Sequence, residues 1–287
     1  MIHNEKFLII GGDSRQSFMS DYLEKFGHEV SVYGLADKNR TCCRSLSDAI
    51  ANNKNIILPL PVSKDGRYFT STVPIKETID EVVSLFNENH NVFAGMISST
   101  MESKLKRNNC RVFDYFKREE VTVMNAVPTV QGILKAIIDN VDYTINSSRC
   151  AVFGYGKIGS LTADVLASLG ADTVVCARKY SDLAKADIKG INSCLIKDFK
   201  NMAKDIDIII NTVPSVILNR DILSELRTDC LIIDVASAPY GTDFAVASEL
   251  GLNAMLCLSL PGKVAPRTAG EIIAKGILNI IREEIYG

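Results

Sequence analysis

Short apolar runs alternate with amphipathic stretches of helical spacing along nearly the whole chain, a pattern that predicts a parallel α/β fold. In the first half the apolar runs predict strands at 6–11, 29–33, 55–60, 91–97 and 111–113. Helices are expected between them at 14–26, 45–52, 75–87 and 101–107. The second half repeats the theme, with strands at 149–153, 173–177, 206–211, 231–235 and 253–257. Its clearest helix is 157–169, where Ile158, Leu161, Val165 and Leu169 recur at helical spacing.

Between the halves lies a helical stretch at 127–141, opened by Pro128-Thr129. Proline suits a first helical turn, and Ile133, Leu134, Ile137 and Ile138 supply an apolar face. A second long helix is expected at 268–285, with Ile272, Ile273, Gly276, Ile280 and Ile281 along it. The expected organisation is an N-terminal α/β domain at 1–126, a linking helix at 127–146 and a second α/β domain at 147–267. The terminal helix at 268–287 would pack back on the first domain. The two long helices would then link the domains across a cleft, since ligands favour the junction of two units. The alternative is that each helix caps its own sheet.

Composition changes this picture only by exclusion. A chain of 287 residues suits two domains, and 47% apolar with 23% charged residues is an ordinary globular balance. Lys plus Arg number 32 and Asp plus Glu 34, a net charge of −2 that carries no signal for nucleic acid or an anionic membrane. No apolar run approaches the roughly 18 residues of a membrane span, and Gly11-Gly12 interrupts the first run too early for a signal peptide. The eight cysteines, at 42, 43, 110, 150, 176, 194, 230 and 257, form no C-x-x-C pair. A reduced cytoplasmic protein without a metal site is expected.

The strongest motif is Gly154-Tyr155-Gly156-Lys157-Ile158-Gly159, between a predicted strand and the clearest helix. Gly154 permits a tight turn, Gly156 lets backbone approach a pyrophosphate, and Gly159 lets helix and strand pack closely. The phosphates would face the helix N-terminus. A phosphate loop of the Gly-Lys-Ser/Thr kind is excluded, because Gly159-Ser160 lacks the lysine. The next predicted strand ends Cys176-Ala177-Arg178-Lys179, with no acid where NAD sites place one for the ribose hydroxyls. Two cations suit a 2′-phosphate, so NADP is expected over NAD. Asn211, Thr212, Val213 and Pro214 follow one strand, and Asp234 and Ser237 follow the next, where ligands sit in parallel sheets. Asp234 can equally cap its own loop.

The first domain offers candidates for a small anionic substrate. Gly12-Asp13-Ser14-Arg15-Gln16 leads from the first strand into a helix, and a helix N-terminus with an arginine one turn in can hold a carboxylate. Asp13 or Ser14 can instead be a plain N-cap. Pro61, Ser99, Thr100, Pro128 and Thr129 are expected at further strand ends of the same edge. Lys263 and Arg267 lie on the stretch before the last helix, which Thr268 would cap. The only histidines are His3, His28 and His90, none near the expected cleft, so an alcohol oxidation relying on a histidine base is disfavoured.

These residues together resemble the A subunits of dipicolinate synthase from spore-forming bacteria, over essentially the full length. The resemblance rests on 11–16, Leu58-Pro59-Leu60-Pro61, 125–129, the fingerprint with Ala177-Arg178-Lys179, and 260–270. It implies two Rossmann-like, doubly wound parallel-sheet domains. It also implies NADP-dependent oxidation of dihydrodipicolinate, or of its hydrated precursor from the lysine and diaminopimelate pathway, to dipicolinate during sporulation. The implied partner is a flavoprotein-like B subunit, with a homodimer as a further option, and the implied compartment is the mother-cell cytoplasm. A ring with two carboxylates calls for two anion contacts. Arg15 and Lys263 are the candidates, with Thr129 as a third contact, and Asp13 or water is the candidate proton acceptor. Two other readings stay open: a non-catalytic NADP-binding subunit, and a two-domain amino- or keto-acid dehydrogenase.

Overall fold

The computed structural model describes residues 4–36, 43 and 45–287. His3 and Cys42 lie outside the described residues. The chain divides into two compact units, one of Met1–Asn125 with Ala265–Gly287 and one of Ala126–Val264.

The first unit contains β1 (Lys6–Ile10), α1 (Ser14–Lys25), β2 (Glu29–Tyr33), α2 (Leu46–Ala51), β3 (Asn55–Ile57), α3 (Ile79–Ser84), β4 (Asn91–Ala94), α4 (Ser99–Leu105) and β5 (Arg111–Asp114). Its strands form one parallel sheet in the order β2-β1-β3-β4-β5. Side chains alternate across the sheet. Leu8, Ile10 and Ile56 thus pack with α2 and α3, while Phe7, Ile9 and Ile57 pack with Met19 and Leu23 of α1. Burial on both faces explains why these strands read as unbroken apolar runs.

The chain passes to the second unit within α5 (Glu119–Ile138). There follow β6 (Arg149–Phe153), α6 (Lys157–Ser168), β7 (Asp172–Ala177), α7 (Tyr180–Asp187), β8 (Asn192–Leu195), β9 (Ile208–Asn211), α8 (Arg220–Leu223), β10 (Leu231–Asp234), α9 (Phe244–Glu249), β11 (Asn253–Leu256) and α10 (Leu260–Val264). The six strands are parallel, in the order β11-β10-β9-β6-β7-β8. Cys150, Val152, Ile208 and Ile210 pack under Ile133 and Ile137 of α5 and Leu166 of α6. Ala151, Phe153 and Ile209 face Phe199, Leu223 and Ala247 on the other side. The order steps outward in both directions from β6 and β9, the doubly wound plan that the sequence pattern predicts.

The final helix, α11 (Pro266–Ile280), belongs to the first unit and buries Ile273, Ala274 and Ile277 in the same core as Phe7 and Ile9. Its approach to α1 is close. A Cβ at Gly270 would stand 2.2 Å from the carbonyl oxygen of Arg15.

Several expectations need correction. The proline at 128 does not open a helix, because α5 starts at Glu119 and Pro128 lies inside it. Proline removes one ladder bond there, but burial of Val121, Ala126, Val130, Ile133 and Ile137 holds the helix on both sides. Pro128 and Thr129 are therefore buried helical residues, not the end of a strand. At 20 residues α5 is also long and apolar enough to span a membrane by length and composition, which the broken pattern around Glu120 and Asn125 conceals. Its buried face marks it as a core helix. Thr268 does not cap α11, since that helix starts at Pro266 and Ala265 takes the cap position without a side-chain bond. The sequence also hides β8, whose Asn-Ser-Cys-Leu has little apolar signal because it is a partly exposed edge strand.

Replacing Gly270 by valine should force α1 and α11 apart. Overpacking of this kind costs about 1–3 kcal/mol, read as a lower urea midpoint. An unchanged midpoint would contradict the close approach.

Candidate active site

At the head of β6 the chain turns through Gly154 at φ +93° and enters α6 without a side-chain cap at Gly156. Two of the three fingerprint glycines are required by the protein itself. A Cβ at Gly154 would lie 2.5 Å from Thr212 Oγ1, and one at Gly159 would lie 2.2 Å from the Gly154 carbonyl oxygen. The third is different. A Cβ at Gly156 would meet nothing within 4 Å, so the protein itself leaves that approach open.

That open space belongs to a crevice of about 390 Å³. Gly154, Tyr155, Gly156, Lys157, Ile158 and Gly159 form one wall, and Thr212, Val213 and Pro214 form another. Arg178 and Lys179, both exposed, stand on the rim where β7 ends. A helix N-terminus, a glycine without steric need and two rim cations fit a dinucleotide phosphate group. Sequence reasoning missed Asp182, which also lines the crevice from the first turn of α7 and pairs with Lys185 at 3.5 Å. The available signal was an acid in the first turn after Arg178-Lys179.

Three predicted cofactor contacts do not line the crevice. Asn211 is fully buried and folds onto its own turn, donating to the Val213 carbonyl at 3.1 Å and accepting from the Val213 amide at 3.1 Å. Asp234 is also fully buried. It accepts from the amides of Ala236 and Gly241, both at 2.9 Å, and from Thr242 Oγ1 at 2.8 Å. These two residues anchor the loops after β9 and β10, which is the capping alternative for Asp234. Ser237 sits exposed on the second of those loops.

In the first unit β1, β3 and β4 are neighbours, so Gly12, Pro61, Ser99 and Thr100 lie along one sheet edge. Asp13 is the N-cap of α1. Its carboxylate accepts from the Arg15 amide at 2.9 Å, and its own amide donates to Gln16 Oε1 at 2.9 Å, a complete capping box. The buried Arg15 guanidinium donates to both Asp13 oxygens, at 3.0 and 2.8 Å, and to the Leu60 carbonyl. Burial pushes the Asp13 carboxyl up, but hydrogen bonds and charge from Arg15 outweigh it and hold the group below the usual carboxylate range. Asp13 is thus a poor proton acceptor, and much of the Arg15 charge is neutralised within the turn. Ser14, Pro61, Ser99 and Thr100 are exposed.

Lys263, on α10, and Thr268, on α11, are exposed. Nothing in the local sequence pattern singles out Lys64 and Thr70. Thr70 accepts from the Gly12 amide at 2.7 Å through its carbonyl, and the Lys64 charge acts on Asp13. Both line a small cavity of about 240 Å³ beside the turn. Gln16 Nε2 and Thr70 Oγ1 are buried polar atoms without a hydrogen-bond partner among the described residues. His28 and His90 are buried and bonded to backbone, His28 through the Glu5 amide and His90 through the Asn87 amide.

A parallel sheet with this crevice at the head of β6 is the frame of a nicotinamide-dinucleotide oxidoreductase. In agreement, residues 131–251 match the NAD binding domain of the D-isomer specific 2-hydroxyacid dehydrogenases. Residues 6–116 match the N-terminal domain of the dipicolinate synthase A subunits. The chain is 32% identical to the A subunit of dipicolinate synthase from Bacillus subtilis (strain 168), over 99% of this chain and 98% of that protein. The crystal structure of that enzyme's A chain from Bacillus subtilis matches with a TM-score of 0.87, covering 100% of this chain and 98% of that one. The A subunit of dipicolinate synthase from Bacillus halodurans, 29% identical, gives 0.89 over 99% of both chains. The chain belongs to the family of dipicolinate synthase A subunits.

Because its folded carboxyl is depressed, Asp13 stabilises the protein above the ordinary Asp range, and this contribution is lost as pH falls through the folded value. Asp13→Ala should cost about 0.5–2 kcal/mol near neutrality through the lost cap. The gap to wild type in denaturant titrations should narrow once the pH falls below that of an unperturbed Asp. A gap that stays constant down to acid unfolding would show that the Arg15–Asp13 pair has no part in it.

Proposed function

We propose that the chain oxidises dihydrodipicolinate, or its hydrated precursor, to dipicolinate with NADP, in the mother-cell cytoplasm during sporulation. The observation that carries this reading is the dinucleotide crevice with Arg178 and Lys179 on its rim, in a chain similar throughout to the A subunit of a dipicolinate synthase. The cofactor, when bound, supplies the hydride acceptor, and the balance is dihydrodipicolinate plus NADP+ giving dipicolinate, NADPH and a proton, with one water also released when the hydrated precursor is the substrate.

The residues of this chain bind and orient. Gly156 and the start of α6 receive the pyrophosphate, and Arg178 with Lys179 receives the 2′-phosphate. One substrate carboxylate is assigned to the turn Gly12–Gln16 with Arg15 and the neighbouring Lys64, and Lys263 is the second candidate cation. Formation of an aromatic ring supplies the driving force, so little is asked of a general base. With Asp13 held ionised by Arg15, the proton leaves to water.

A second reading has the chain as the NADP-binding subunit that needs a flavoprotein-like B subunit for the chemistry. The neutralised Arg15–Asp13 pair and the backbone-bonded histidines favour it. Purified chain, alone and with the B subunit, given substrate and NADP, separates the two. Dipicolinate and NADPH in equal amounts from the chain alone are expected; dipicolinate only when B is added would select the second reading.

Arg178→Ala should weaken NADP about tenfold or more, since a charged hydrogen bond is worth about 1.5–3 kcal/mol. NAD affinity should scarcely change. Equal affinity of the wild type for NAD and NADP, measured by calorimetry, would sink the NADP assignment. Lys263→Ala should weaken dipicolinate binding by about 1.5 kcal/mol, the low end for a charged contact, because the lysine is exposed. Unchanged dipicolinate affinity would remove Lys263 from the site.

A further inference from the structure

Cys176 and Cys194 are register partners on the neighbouring strands β7 and β8, and their sulfurs lie 3.6 Å apart. Adjacent strands run about 4.7–4.9 Å apart, inside the roughly 4.4–6.8 Å that a disulfide tolerates between Cα atoms. Cys176 is fully buried in the core that holds Phe153 and Phe199. Cys194 is only half-buried, on the strand that ends the sheet among the described residues. Cys194 is thus the less buried member of the pair, and Cys176 the fully buried one.

Both strands run into the crevice. Arg178 stands two residues beyond Cys176, and Ile196 two residues beyond Cys194; both line the crevice wall. Forming the bond would draw the sulfurs from 3.6 Å to about 2.05 Å. An edge strand held on one side only yields more readily than a central one, so β8 and Ile196 take up most of the shift.

We propose that Cys176 and Cys194 are a reversible dithiol site, oxidised by a peroxide to a disulfide that weakens cofactor binding in the adjoining crevice. This effect on binding rests on the reading of the crevice as the dinucleotide site. In the first step the Cys194 thiolate attacks one oxygen of hydrogen peroxide. The O–O bond breaks, the departing hydroxide takes up a proton as water, and Cys194 becomes a sulfenic acid. In the second step the Cys176 sulfur attacks the Cys194 sulfur, the S–O bond breaks, and hydroxide leaves with the Cys176 proton as water. Both sulfurs are oxidised and the peroxide is reduced, with two waters formed. A hydrogen bond from the Cys176 thiol draws Cys194 below the usual thiol range, while burial holds Cys176 well above it. The half-buried partner on the edge strand is the nucleophile.

The test treats the intact protein with hydrogen peroxide and maps disulfide-linked peptides by mass spectrometry, then titrates NADPH and NADH. A Cys176–Cys194 linked peptide is expected, with cofactor affinity reduced at least about fivefold, the low end for coupled sites. Dithiothreitol should restore the affinity. Cys194→Ser should keep the affinity of the reduced protein and lose the response to peroxide. Absence of the linked peptide would overturn the proposal, and so would an equal loss of affinity in Cys194→Ser. The linkage is read without any cofactor. Failure of the crevice assignment shows separately, as a reduced protein that binds neither dinucleotide.

Discussion

The second unit is organised by the contact of the α6 backbone with the turn that precedes it. Gly159 stands so close to the Gly154 carbonyl that no side chain fits between them, and Gly154 itself lies against Thr212 at the head of β9. This packing brings the ends of β6 and β9 together and aims the start of α6 into the crevice. The position of Arg178 and Lys179 follows, because β7 lies beside β6 in register and ends at the same level. A dinucleotide site is the geometric result of two glycines packed tightly and a third left open.

In the first unit the corresponding turn is closed differently. Gly11 and Gly12 take positive φ, and the Gly12 amide donates to Thr70. Asp13 then caps α1 and holds Arg15 in the same cluster. The turn keeps the shape of a helix N-terminus while much of the Arg15 charge is cancelled by Asp13. The two units share a strand–turn–helix plan but close the turn with different partners.

Much of this was legible in the sequence because it depends on local pattern. Ten of the eleven strands among the described residues follow from apolar runs, and the fingerprint follows from three glycines between a strand and an amphipathic helix. What escaped depends on where polar groups find partners. Asn211 and Asp234 sit at strand ends, as ligand contacts do, yet their hydrogen bonds are taken up by their own loops. Asp13 and Arg15 each suit an anion site or its chemistry, but a two-residue separation lets them neutralise each other. Pro128 misleads because burial of the helix face outweighs one missing hydrogen bond. Lys64 and Thr70 reach the α1 turn only through tertiary structure.

The central claim, that the open glycine of the fingerprint is reserved for a dinucleotide, is tested most directly by Gly156→Ala. A Cβ there meets no protein atom within 4 Å, and the backbone, at φ −80° and ψ −165°, suits alanine. An unchanged denaturation midpoint is expected, with cofactor affinity reduced about tenfold or more, at least about 1.4 kcal/mol. Binding of NADP or NAD as tight as in the wild type, by the stably folded variant, would contradict it.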